Sequence, residues 1–428
     1  MGYRQPITDH ALRILTAVNT GCSMEFLKAM TAKEALGIIN TFPVYLHTEV
    51  IPLDDSLGRI VAEDIVAHEN IPPFSRSLVD GFAIKVKDAQ GAKETNPALL
   101  FYKGEIRIGE EAKAVLDEGS CIYISTGAMI PEGSDGVVMQ EYSRRMGDAV
   151  EITKTTHKGE NICFIGEDIK LGSTVLTKGK RLTPFDLGVL SALGMADIWA
   201  YQKTKIALIS SGDEVIPVAQ KPAPGQIRDI NRYTVSNTLI KTCAVVSFIG
   251  ITRDNPEAIN EHLIASREND MILVSGGSSK GERDYITTSI EQLGGEILFH
   301  GINIKPGKPT IFASLWGKPV FGLPGHPVSC IMALTRFVLP LVKRLQGETR
   351  GEEKRTTGIL TINVPSSYGI EEYVRVTVAY DEEGCKITPL FAKSSVISSL
   401  SKASGYIIVP EGREGFEQGE EVVVYYFE

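Results

Sequence analysis

The stretch Asp270-Met-Ile-Leu-Val-Ser-Gly-Gly-Ser-Ser-Lys-Gly-Glu-Arg-Asp284 runs from a short, wholly apolar segment directly into adjacent glycines. An apolar run of this length, ended at once by a glycine turn, reads as a strand buried on both faces, as in an open α/β sheet. Lys205-Ile-Ala-Leu-Ile209, Thr310-Ile-Phe-Ala313 and Pro319-Val-Phe321 repeat the pattern on either side. Between them, Asn255-Pro256-Glu257 supplies a cap residue, a proline at the first helical position and an acid in the first turn, which predicts a helix to about Arg267. A second helix is expected from Pro327, with Ile331, Leu334, Val338 and Leu341 forming one stripe at spacings of three and four. Residues 203–347 are therefore expected to form an α/β unit, a parallel sheet covered by helices.

The flanking sequence changes character. Residues 348–428 alternate in Tyr373-Val-Arg-Val-Thr-Val378 and Glu421-Val-Val-Val-Tyr-Tyr426, with a turn at Asp381-Glu-Glu-Gly384, and predict an all-β domain. Residues 69–168 are strand-like and glycine-punctuated, with Cys121-Ile-Tyr-Ile-Ser125, Gly136-Val-Val-Met139 and a hairpin at Met146-Gly-Asp148, and predict an inserted β-rich module. Helical stretches at Thr31 to Asn40 and Thr183 to Leu193 bracket that module. Residues 24–68 and 169–202 are accordingly assigned to one discontinuous linking domain, and residues 1–23 to an N-terminal extension.

Composition narrows the function. At 428 residues the chain exceeds one ordinary domain, and 43% hydrophobic with 23% charged residues is a globular balance. The 44 Lys and Arg face 53 Asp and Glu, a net charge of −9, so no cationic field exists to hold a nucleic-acid backbone. No apolar run approaches the roughly 20 residues of a membrane helix. Asp9 and Arg13 interrupt the first residues, so no secretory signal is read and a cytoplasmic protein is expected. The six cysteines contain no Cys-x-x-Cys pair, which points to neither a zinc site nor a disulfide framework.

Four clusters carry candidate chemistry. The loop Ser275 to Asp284 turns backbone N–H groups outward ahead of a helix, a cradle for a phosphate-like oxyanion, with a plain tight turn as the competing reading. It matches neither Gly-x-Gly-x-x-Gly nor Gly-x4-Gly-Lys-Ser/Thr, so the standard dinucleotide and P-loop readings lose ground. Ile304-Lys-Pro-Gly-Lys-Pro309 offers two ammonium groups from a stiffened loop, suited to an anion if they are more than solvated surface lysines. Gly322-Leu-Pro-Gly-His-Pro-Val-Ser329 leads from a strand into a helix, where free N–H groups and Ser329 suit an oxyanion. His326 there is a metal ligand, a base or, as a lone loop histidine usually is, a hydrogen-bonding residue. Finally Asp80, Glu167-Asp168, Asp213-Glu214, Asp229, Asp254 and Asp284 stand after glycines or at strand ends, as hard oxygen ligands of Mg2+ or as ordinary caps and turns.

In their order along the chain these motifs resemble the molybdopterin molybdotransferase family, the bacterial MoeA proteins and the E domain of gephyrin. The likeness extends through Ser77-Leu-Val-Asp-Gly-Phe-Ala83, Ser125-Thr-Gly-Ala128, Val137-Val-Met-Gln-Glu141, Gly166-Glu-Asp-Ile169, Ser211-Gly-Asp-Glu214, Pro224-Gly-Gln-Ile227 and Asn231-Arg-Tyr233. It implies a three-layer α/β/α molybdopterin-binding core with the β-rich module inserted and an all-β domain at the C-terminus. It further implies an enzyme that takes adenylylated molybdopterin and molybdate, inserts the metal and releases AMP with Mg2+ assisting, as a homodimer whose cleft is shared between subunits. Carried over residue by residue, Asp284, Asp254 and Glu214 would line the pterin and nucleotide pocket, with Asp254 and Asp284 as the Mg2+ ligands. Ser275, Gly276, Gly277, Ser278 and Gly325 would cradle substrate. Lys305, Lys308, Pro309 and Ser329 would receive oxyanion oxygens, with Arg375 and Ser399 from the C-terminal domain. Asp80, Thr126 and Asp168 would reach in from the partner.

The chain also departs from the family pattern. Cys163-Phe-Ile165 stands where relatives often carry arginines, Gly301 where some place a lysine, and His326 where asparagine is usual. Two other readings attach to the same likeness: a non-catalytic pterin-binding scaffold, and a paralogue specific for tungstate.

Overall fold

The computed structural model describes residues 30–277, 284–349, 351, 353–382 and 384–427. The expected extension at 1–23 and the candidate residue Ser278 lie outside them.

The core sheet is built from β1 (Lys205–Ser211), β2 (Val245–Thr252), β3 (Met271–Ser275), β4 (Glu296–His300), β5 (Ile311–Leu315) and β6 (Lys318–Leu323), in the spatial order β2-β1-β3-β6-β5-β4. Helices α1 (Asn231–Ile240), α2 (Pro256–Ala265), α3 (Tyr285–Gln292) and α4 (Pro327–Ala333) cover it, and Ala32–Thr41 and Leu339–Leu345 pack into the cluster on the α1 and α4 side. The apolar strands alternate between two cores. Ile206 and Leu208 face one side with α1 and α4, while Ala207 and Ile209 face the other with Ile259 and Leu263 of α2 and Ile286 and Ile290 of α3. Both faces are sealed, which is why these strands read as continuous apolar runs, and each such Leu or Ile contributes roughly 1.5–3 kcal/mol by leaving water. The result is a three-layer α/β/α core.

The expectation of a parallel sheet holds for β2, β1, β3 and β6, but β5 runs antiparallel to both of its neighbours. Trp316 and Gly317, both with positive φ, form a two-residue turn that reverses the chain between β5 and β6. A connection that short cannot cross over, so the pair has to be a hairpin. The Pro327 helix carries its predicted stripe inward, yet a π-turn at Leu334–Val338 interrupts it before the chain resumes as helix over Leu339–Leu345.

Thr48–Pro52 pairs antiparallel with Asp197–Tyr201, so the segments on either side of the insertion meet. The insertion carries a six-stranded sheet in the order Gly136–Met139, Gly81–Ile84, Ser120–Ile124, Lys93–Ile106, Ala149–Lys154, Ser143–Met146, with a hydrophobic cluster on each face. The C-terminal strands close on themselves. Glu371–Asp381 pairs with Gly384–Pro389 on one edge and Gly405–Val409 on the other, and Arg355–Leu360 and Glu421–Tyr426 complete the ring of a closed barrel. Ile304–Lys305 adds in parallel to the start of Glu371–Asp381, fastening the lysine loop to the barrel. A short helix, Ser398–Lys402, is the one non-β element described after residue 355. No helix among the described residues is long and apolar enough to cross a membrane.

Candidate active site

The C-terminal ends of β1, β3 and β6 converge, as ligand-collecting ends of open α/β sheets do. Gly276 turns out of β3 at a positive φ, where a Cβ would collide with the Ser211 carbonyl oxygen, so only glycine lets the two strand ends approach. Gly277 follows, also at positive φ, and a Cβ there would lie 3.3 Å from Ser211 Oγ, 3.4 Å from Ile286 and 3.6 Å from Asp254 Oδ1. Gly325 of the β6 loop stands against Gly276, at 3.7 Å from the position of its own absent Cβ.

Polar side chains hold this floor. Ser211 Oγ donates to Asp254 Oδ1 at 2.5 Å. Asn231, at the start of α1, donates through Nδ2 to Ser275 Oγ at 2.8 Å and to the Gly325 carbonyl at 2.9 Å. Asp229 accepts from Ser210 Oγ at 2.6 Å and from the Arg232 N–H at 3.0 Å. Ser275 also lies 3.7 Å from the sulfur of Cys330, whose burial pushes its thiol up to about 12.

Asp284 caps α3, its Oδ1 accepting from the N–H groups of Ile286 and Thr287 at 3.2 and 3.3 Å. Its Oδ2 faces His300 Nε2 at 3.1 Å. Burial raises the Asp284 carboxyl above the ordinary range, against the opposing pull of His300 and the helix N–H groups. Glu214 is exposed, and its carboxylate lies beside Gly212.

The lysine loop sits between core and barrel. Lys305 Nζ lies 2.9 Å from Glu372 of the barrel, and Lys308 is exposed. Pro309 is half-buried, and Ser329 is buried with its carbonyl oxygen 3.6 Å from where a Gly307 Cβ would be. His326 is exposed, and its Nδ1 lies 3.2 Å from Ser394 Oγ. Arg375 is buried, donates to the Ala392 carbonyl at 2.5 Å, and keeps its Nε without a partner among the described residues. Ser399 donates to the Val396 carbonyl at 2.6 Å.

Asp80 and Thr126 lie in turns just before Gly81–Ile84 and just after Ser120–Ile124 of the inserted sheet, where Asp80 Oδ1 accepts from the Thr126 N–H at 2.7 Å. The carbonyl of Asp80 accepts from the N–H of Gln140, which lines a cleft with Phe82, Tyr102, Tyr123 and Arg145, the Arg145 guanidinium lying 3.7 Å from the Tyr102 ring centre. Asp168 is exposed, and its N–H donates to Ile71. Within one chain, no described hydrogen bond or ion pair joins these three to the core cluster. Nor do three or more His, Cys, Asp or Glu side chains gather into a metal-binding group among the described residues. Sequence reasoning missed His300 and the tying role of Asn231, although Asn231 stood in a quoted motif. No local signal marked His300, since Glu296–His300 was not among the strands expected.

Three family models match in succession: the MoeA N-terminal region (domain I and II) over residues 30–194, a molybdopterin-binding domain described as probable over 207–344, and the MoeA C-terminal region (domain IV) over 357–427. The molybdopterin molybdenumtransferase of Haemophilus influenzae is 33% identical over 90% of this chain and 96% of its own. The chain belongs to the molybdopterin molybdenumtransferase family. The Bacillus subtilis member of that family is 32% identical over 91% of this chain and 92% of its own. A solved molybdopterin biosynthesis MoeA protein from Pyrococcus horikoshii OT3 superposes with a TM-score of 0.81 at 31% identity, covering 94% of this chain and all of that one.

Proposed function

We propose that this protein is a molybdopterin molybdenumtransferase of molybdenum cofactor biosynthesis, which takes adenylylated molybdopterin and molybdate, inserts the metal at the dithiolene and releases AMP. The observation that carries the reading is the meeting of Gly276, Gly277, Gly325, Ser211 and Asp254 at the strand ends, a backbone-lined cradle edged by a carboxylate. Molybdate and the pyrophosphate of the adenylate are both groups of tetrahedral oxyanions. The Gly276 N–H is taken by the Leu323 carbonyl, so the N–H of Gly277 serves the nucleotide phosphate, while Lys305, Lys308 and Ser329 serve molybdate. The Lys305 ammonium, already aligned by Glu372, meets its anion without first being ordered. The dithiolene sulfurs belong to the substrate, which leaves the cysteines idle.

The donor set suits Mg2+. Asp284 Oδ2 is buried without a hydrogen-bonding partner among the described residues, and Asp254 spends Oδ1 on Ser211. Mg2+ is commonly held by one or two carboxylates together with substrate phosphates and water, so Asp254 and Asp284 suffice. When bound, it would offset charge on the phosphoanhydride. Asp80, Thr126 and Asp168, remote from the core cluster in hydrogen bonding, take their part from the second subunit of a homodimer. Arg375 and Ser399 complete the barrel side and Glu214 the nucleotide side.

AMP release from adenylylated molybdopterin by purified protein with Mg2+ tests the reading, comparing molybdate, tungstate and no oxyanion, with Asp284→Ala as control. Molybdate-dependent release lost in the variant is expected. Release indifferent to oxyanion overturns the reading, and a preference for tungstate changes the metal it handles.

A further inference from the structure

His300 is the last residue of β4, and its position is fixed from several directions. It pairs with Ile311 across the β4–β5 ladder, and the next residue, Gly301, donates its N–H to the Thr310 carbonyl. Helix α3 packs on β4 through Ile286, Ile290 and Ile297. The helix start carrying Asp284 and the strand end carrying His300 are thus two rigid surfaces in contact. Where they meet, Nε2 and Oδ2 stand 3.1 Å apart. Both atoms are buried, and neither has a hydrogen-bonding partner among the described residues, so each is the other's polar neighbour. The other oxygen, Oδ1, is committed to two helix N–H groups.

We propose that His300 is a positioning residue of the reaction, holding Oδ2 of Asp284 in the orientation that the site uses. This rests on the reading of Asp284 as a site carboxylate. The helix N–H groups fix one oxygen but leave the carboxylate plane free to turn about that anchor, because the terminal torsion of Asp is broad. An imidazole against the second oxygen removes that freedom. Without the ring, Oδ2 loses the polar neighbour that faces it at 3.1 Å, and the carboxylate is free to turn away from the site's geometry. Partners of this kind, one step behind a metal-binding carboxylate, typically govern affinity or activity by about ten- to a hundredfold.

The test compares His300→Leu, which keeps bulk and loses the donor, with His300→Gln, whose amide N–H reaches the place of Nε2. Two readouts are taken on the full chain: kcat and KM for AMP release, and Mg2+ affinity by titration calorimetry in the presence of AMP. His300→Leu is expected to lower kcat and weaken Mg2+ binding about tenfold or more, with KM for the adenylate within about twofold. His300→Gln recovers most of the loss, and adding His300→Leu to Asp284→Asn costs nothing further, because the effect passes through one carboxylate. A His300→Leu protein equal to the native one, a glutamine variant no better than leucine, or an additive loss in the double variant overturns the proposal. If the native protein releases no AMP, the functional reading fails, while the Mg2+ titration still decides the role of His300.

Discussion

Asn231 Nδ2 donates to Ser275 Oγ over 2.8 Å, joining the first residue of a helix to the last residue of the central strand. The same amide nitrogen reaches the Gly325 carbonyl, so one buried side chain sets the spacing of two glycine turns. Asn231→Leu is close in volume but leaves the Gly325 carbonyl without its donor and the Ser275 hydroxyl without the amide. A loss of about 1–3 kcal/mol in urea unfolding is expected, with weakened binding of AMP measured by calorimetry. Unchanged AMP affinity would separate this tie from the ligand site.

Gly276 and Gly325 face each other but tolerate different things. Gly276→Ala drives a methyl into the Ser211 carbonyl at a positive φ, whereas Gly325→Ala meets Gly276 Cα at an ordinary 3.7 Å. The first substitution is expected to cost more than 2 kcal/mol in a denaturant midpoint or to abolish soluble expression, and the second under about 1 kcal/mol. Gly325→Ala then isolates any effect on ligand, because a methyl there shortens the cradle without straining it. Equal unfolding midpoints for the two variants would refute the steric account.

What could be read from sequence follows the strength of local signals. The strands around Ile206 and Ile272 and the helices begun by Asn255-Pro256 and by Pro327 carried apolar runs or caps, and they stand where expected. Helix α1 did not announce itself, since Ile230 gives no side-chain cap and its polar, Thr- and Asn-containing sequence is ordered by packing Val235 and Leu239 on the sheet. The reversal of β5 was hidden because a buried strand reads alike in either direction. His300 was invisible for a related reason. Its meaning lies in a helix cap sixteen residues earlier, Asp284, and only the tertiary packing of α3 on β4 brings the two together.

The two loop lysines differ in their surroundings, and their substitutions should differ accordingly. Both are exposed, but Lys305 is paired with Glu372. Lys308→Ala removes a cation and is expected to raise KM for molybdate about tenfold, the value of one charge-assisted hydrogen bond. Lys305→Ala removes the cation and also leaves Glu372 facing the anion site, so a larger rise is expected. Glu372→Gln added to Lys305→Ala should return part of it. Initial rates against molybdate concentration settle the order, and a Lys308 effect larger than the Lys305 effect would contradict it.

The linking segment carries an acid-sensitive cap. Thr183 Oγ1 accepts from the Asp186 N–H, and Asp186 returns the contact to the Thr183 N–H while also pairing with Lys180. Burial pushes the Asp186 carboxyl up, but Lys180 and the hydroxyl and N–H of Thr183 outweigh it, so the folded value is lowered. The unfolded chain therefore takes up this proton first. The carboxylate's contribution is complete above the usual carboxylate range and is lost as the pH falls through that range toward the lowered folded value. Thr183→Ala is expected to cost about 1 kcal/mol at neutral pH. Asp186→Asn should flatten the decline in urea midpoint on acidification; an unchanged slope would assign the acid sensitivity elsewhere.

Asp80 and Thr126 are joined to each other in turns of the inserted sheet but to no core site residue of their own chain by a described hydrogen bond or ion pair. If they serve the partner's site, inactivation at the two places should be separable by mixing. In a dimer of one Asp80→Ala chain and one Asp284→Asn chain, one cleft receives both defects and the other receives neither. Refolding or co-expressing equal amounts gives half mixed dimers, each with one of its two clefts intact, so roughly a quarter of native AMP release should return from two inactive parents. The same parents mixed without subunit exchange should stay inactive. Were both residues to act within one chain, every cleft would carry one defect, and no mixture would recover activity.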